Sequence, residues 1–132
     1  MNYSELTWRH FESAAAAGVL QGGTVRRGSA GSPTCGTWVQ FDVQLGSGDR
    51  DSIIEAVRFQ AFGCPHVIAV SDWVSQAAVG RDLRPVLPEP VAALRERFGV
   101  PVEKLGRLLI VEDAWIAAIS PPDGGVTAGF RG

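Results

Sequence analysis

The chain has 132 residues, 45% hydrophobic and 20% charged, with a formal net charge of −2 at pH 7. That length and balance fit one soluble domain able to bury a core. They exclude a phosphate-tracking nucleic-acid binder, which needs a basic stripe, whereas the only adjacent basic pair here is Arg26-Arg27.

The predicted elements run as follows. "SELTWRHFESAAAA" (4–17) reads as a helix, with Ser4 as N-cap, Leu6 and Phe11 near one face, an alanine run of high propensity and Gly18 as its stop. "QGGTVRRGSAGSPT" (21–34), rich in Gly and Ser, promises only a short, irregular edge strand. "WVQFDVQL" (38–45) alternates strictly: Val39, Phe41, Val43 and Leu45 on one face, Gln40, Asp42 and Gln44 on the other. After a turn at 46–52, "IIEAVRFQAF" (53–62) alternates again, which makes an antiparallel hairpin. Helices are predicted over 65–80, with Pro65 in the first turn, over 88–99, and over the strongly apolar 102–120.

Helix, strands, then helices predicts an α+β fold: a small antiparallel sheet of about three strands with helices packed on one face. Residues 1–120 are expected to form a single domain and 121–132 a flexible tail. No apolar run reaches the roughly 20 residues of a membrane span. "MNYSELTWRHFES" lacks the basic start and apolar stretch of a secretory signal, so a cytoplasmic location is expected.

Cys35 and Cys64 are the only cysteines. In a reducing compartment a disulfide between them is disfavoured. Cys35 enters the first hairpin strand and Cys64 leaves the second, so pairing brings both thiols to one edge of the sheet. Cys64 also precedes a helix, whose N-terminal dipole favours thiolate. Reduced, glycine-flanked thiols in adjacent loops point to a soft metal, iron or zinc. Two thiolates are half of a tetrahedral set.

His66 is the nearest candidate for a further ligand; its other reading is an exposed first-turn histidine. Asp42 lies far along its strand, Asp72 reads as a solvated helix residue, and His10 as structural. A homodimer would supply two more thiolates. The chain has no nucleophile elbow, HExxH or phosphate-binding loop with a following Lys, and no Ser, His and Asp set that makes a triad, so it is not expected to be an enzyme.

In order, "YSELTWRHFESAAAAGVL", "GSPTCGTWVQFDVQL", "IIEAVRFQAFGCPHVIAVSDWV" and "VPVEKLGRLLIVEDAWIAAI" resemble the IscU/NifU N-terminal family of iron–sulfur cluster scaffolds over residues 3–119. Tyr3, Ser4, Glu5, His10, Glu12 and Gly18 follow the family's frame, as do the Cys-Gly and Gly-Cys steps around the two thiols. The resemblance implies that Cys35 and Cys64 bind iron, a nascent iron–sulfur cluster or zinc, with sulfur delivered by a cysteine desulfurase. It also implies a DnaK-type chaperone partner.

The departures are equally specific. Thr37 stands where the family has a ligating Asp, and Gly106-Arg107 where it has His-Cys, so the third thiolate is missing. Ala14-Ala15-Ala16 replaces Pro-Arg-Asn. The chaperone motif Leu-Pro-Pro-Val-Lys persists only as Val100, Pro101 and Lys104. Arg107 either stabilises thiolates or repels a metal. Two functions follow: a scaffold that binds metal through two loop cysteines, or a metal-free adaptor that regulates the assembly machinery. Sulfur transfer through Cys64 is a third, against which the missing cysteine counts.

Overall fold

The structure is a computed structural model and describes residues 3–21 and 25–120. The tail expected at 121–132 lies outside the described residues. The order is α1 (Glu5–Ser13), β1 (Val25–Ser32), β2 (Thr37–Leu45), β3 (Ile54–Phe62), α2 (Pro65–Ala78), α3 (Val91–Phe98) and α4 (Leu105–Ile119). The strands form one antiparallel sheet in the order β1-β2-β3, so the predicted α+β architecture is the observed one.

Alternation on β2 does what period two requires: Val39, Phe41 and Val43 are wholly buried beneath the helices. Leu108, Val111, Ala114, Trp115 and Ala118 of α4, and Val67, Val70, Val74 and Ala78 of α2, complete the core. Phe41 and Trp115 meet edge to face at 5.3 Å between ring centroids. The Trp115 indole N–H reaches the Val86 carbonyl at 2.9 Å, so the ring's one polar atom is buried with a partner.

Four expectations need correction. β1 is a regular eight-residue strand, in step with β2 from Val25↔Gln44 to Ser32↔Thr37. Small residues, which weaken a strand in isolation, are what this one needs: a Cβ on Gly28 would lie 2.1 Å from the Ala118 backbone nitrogen, so α4 packs onto β1 only because none is there.

The first helix ends at Ser13, not at residue 17, despite the alanine run. Ala14 turns left-handed (φ 36°), the Asp72 carboxylate takes the Ala16 N–H, and Ala16 and Gly18 bond to Phe59 of β3. These tertiary partners outcompete propensity, which is a weak prior. The last helix begins at Leu105, after a 3₁₀ turn over Val102–Lys104.

The two aspartates read as polar-face or solvated are both buried. Asp42 accepts from Arg27 Nε (2.7 Å) and Nη2 (2.9 Å), and from the Leu20 N–H. Asp72 is 0% exposed and accepts from the Ala16 N–H (2.8 Å) and Gln76 Nε2 (2.7 Å); its Oδ2 lies 2.6 Å from His10 Nδ1. His10 therefore ties α1 to α2. At the other end of α1, the Ser4 and Thr7 hydroxyls both donate to the Phe98 carbonyl at the end of α3.

Candidate functional site

The β2–β3 register pairs Trp38 with Phe62 and Val39 with Ala61. The segment entering β2 thus lies beside the segment leaving β3. Cys35 ends a one-turn 3₁₀ helix, and Gly36, at φ 85°, makes the left-handed step into the strand that a glycine adopts without strain. The Gly36 carbonyl oxygen lies 3.5 Å from where a Cβ on Gly63 would stand. The loops carrying the two cysteines are therefore in contact at one pole of the sheet, as strand pairing implies.

The thiols differ in setting. Cys35 is exposed, and its Sγ accepts from the Ser32 hydroxyl at 3.2 Å. Cys64 is half-buried and is the N-cap residue of α2. Burial pushes its thiol pKa up. The N–H groups of Val67 and His66 and the Arg107 guanidinium push it down and prevail, leaving it below the ordinary 9.0.

Arg107 stands in the first turn of α4 and Lys104 just before it, where the helix dipole disfavours cations. Of the two, Arg107 is the one that acts on Cys64 and favours its thiolate form. Iodoacetamide should therefore alkylate Cys64 with a half-point below pH 9.0, since a lowered pKa preserves thiolate toward acid. Arg107→Ala should raise that half-point, and peptide mass mapping against pH reads both.

His66 is not the exposed first-turn residue of the simpler reading: it is 2% exposed. Burial first, then Lys104 and Arg107, lowers its pKa to about 4, so the ring is neutral at pH 7. Tyr3 packs edge-on against it at 4.6 Å, and Lys104 Nζ lies 5.8 Å from the Tyr3 ring centroid. Neither ring nitrogen of His66 has a hydrogen-bond partner. No sequence signal marks Tyr3 or this burial.

Among the described residues, no three His, Cys, Asp or Glu side chains are grouped to hold a metal ion. Thr37 is buried, with the same strand parity as Val39. Of the residues matched to the chaperone motif, Val100 is a core residue at 2% exposure, which leaves Pro101 and Lys104 half-buried at the surface. No helix among the described residues is long and apolar enough to cross a membrane.

Residues 2–121 match the family described as NifU-like N terminal domain. The chain is similar to the iron–sulfur cluster assembly scaffold protein IscU of Haemophilus influenzae, at 30% identity over 91% of this chain and 94% of that one. It is also similar to the scaffold of the same name from Escherichia coli K12, at 29% identity over 91% and 93%. A crystal structure of a protein ascribed to iron–sulfur cluster scaffolding in the SUF system of Fervidobacterium islandicum superposes with a TM-score of 0.62. Its identity is 12%, and the match covers 89% of this chain and 96% of that one, which speaks to the fold alone.

Proposed function

The chain belongs to the NifU-like N-terminal domain family of non-catalytic iron–sulfur cluster assembly scaffolds, and on that footing we propose that it carries iron, a nascent cluster or zinc as cargo at Cys35 and Cys64. The contact between the Gly36 and Gly63 loops carries this reading, because it brings together the two segments that bear the cysteines. The donor chemistry agrees: soft thiolates select zinc and iron–sulfur species, and the Cys64 thiol is biased toward thiolate.

Two thiolates leave a tetrahedral set half filled. A second copy of the chain or a partner would supply the rest. A cysteine desulfurase would supply sulfur at the persulfide level, which a thiol or electron donor of the same reducing compartment would reduce to sulfide. Pro101 and Lys104 are the surface left for a DnaK-type chaperone. Arg107 beside Cys64 and the lack of a three-ligand group among the described residues favour the second reading, a metal-free adaptor of the assembly machinery.

Anaerobic reconstitution with ferrous iron, sulfide and reductant separates the two. A visible chromophore with stoichiometric iron, lost in Cys35→Ala and in Cys64→Ala, is the expected result. No chromophore and no retained zinc in wild type would leave the adaptor.

A further inference from the structure

His66 has the features of a ligand that has been covered. Its two ring nitrogens are buried without a hydrogen-bond partner, a condition native structures rarely leave without a role. The ring sits in the first turn of α2, two residues from Cys64, and Tyr3 packs edge-on against it at 4.6 Å between ring centroids. Tyr3 comes before α1 and is held from behind: the neighbouring Ser4 caps α1 through the Thr7 N–H (3.1 Å) and donates to the Phe98 carbonyl (2.9 Å). Unlike the core aromatics, Tyr3 is only half-buried.

We propose that residues 3–4 form a strap over His66, and that displacing Tyr3 frees the imidazole to join Cys64 in binding a divalent cation such as zinc. The proposal rests on the two-cysteine reading above and deepens it by naming a further ligand and what withholds it. Zinc accepts an imidazole nitrogen beside thiolate sulfur, and both ring nitrogens of His66 are without a partner. Among the described residues no three His, Cys, Asp or Glu side chains are grouped to hold a metal ion, so the His66 ring must turn toward Cys64 once Tyr3 leaves. With the strap lifted, His66 in the first turn of α2 is free to turn a ring nitrogen toward Cys64, two residues before it.

If the lifted form is roughly a tenth of the population, apparent zinc affinity is about tenfold below that of a freed site. The test uses the full chain and two readouts. Without metal, diethyl pyrocarbonate should carbethoxylate His66 about tenfold faster in Tyr3→Ala than in wild type or Tyr3→Phe, in line with the same population. Peptide mass mapping separates His66 from His10, the only other histidine.

In competition with a chromophoric chelator, Tyr3→Ala should hold zinc about tenfold tighter, and Tyr3→Ala with His66→Ala should lose the gain. Ser4→Ala, which loosens the strap without altering the ring, should act in the same direction; it tests the strap if Tyr3→Ala fails to fold by circular dichroism. An unchanged His66 modification rate in both variants overturns the strap. Cysteine-dependent zinc binding that Tyr3→Ala leaves unaltered overturns the ligand role alone. No zinc bound by any variant overturns the ligand role; the two-cysteine reading falls only if reconstitution also gives no iron–sulfur chromophore.

Discussion

Asp72→Ala should lower the unfolding free energy by about 3–5 kcal/mol, the scale of breaking a buried polar cluster from one side. The carboxylate is wholly inaccessible and serves three groups from two directions: His10 of α1, the Ala16 amide and Gln76 of its own helix. Truncation strands the buried Ala16 N–H and takes the partner from the His10 ring, whose side chain is only 13% exposed. Urea unfolding followed by tryptophan fluorescence should show a lower midpoint at unchanged slope.

Asp42→Ala is the control. Its partner Arg27 is half exposed and can turn to water, so the midpoint should move much less. Equal shifts in the two variants would mean that the His10–Asp72 contact has no special weight in fastening α1. Because α1 also carries the strap, Asp72→Ala should speed carbethoxylation of His66 in the folded state.

Arg107→Cys should tighten zinc binding about 100-fold or more, each factor of ten being about 1.4 kcal/mol. Two effects add. The substitution removes the guanidinium that acts on Cys64, and it places a third soft donor where the resembling family carries a cysteine. Arg107→Ala separates them, since it removes the charge without adding a ligand and should gain only about tenfold, one such step. Chelator competition on the three proteins measures both steps. Identical affinities for the Ala and Cys variants would mean that residue 107 does not reach the metal. No gain in either would count against metal at this pole and for the adaptor.

Much of this was legible before the structure. The strict alternation of residues 38–45 and the run over 53–62 define a hairpin. The hairpin by itself brings the start of one strand beside the end of the other, and with them the cysteine loops. Such patterns are readable because they encode which face of an element is buried, and that face is a local property of the period. The order of elements then implies the fold class.

What composition hid was decided by contact. The Gly-Ser stretch reads as irregular until α4 lies against Gly28, where only a missing side chain lets the backbones meet. The alanine run reads as helix until the Asp72 carboxylate and β3 claim its amides and carbonyls. Asp42, Asp72 and His66 read as solvated, because polar residues mostly are. Their burial depends on Arg27, on His10 and on Tyr3, partners from 15 to 63 positions away in the chain. Sequence by itself determined the hairpin and the meeting of the loops that carry the two cysteines, since both follow from local period and strand pairing. Only the tertiary structure decided the place of Arg107 beside Cys64 and the burial of His66. Each depends on side chains that distant segments bring together, and no local pattern records that encounter.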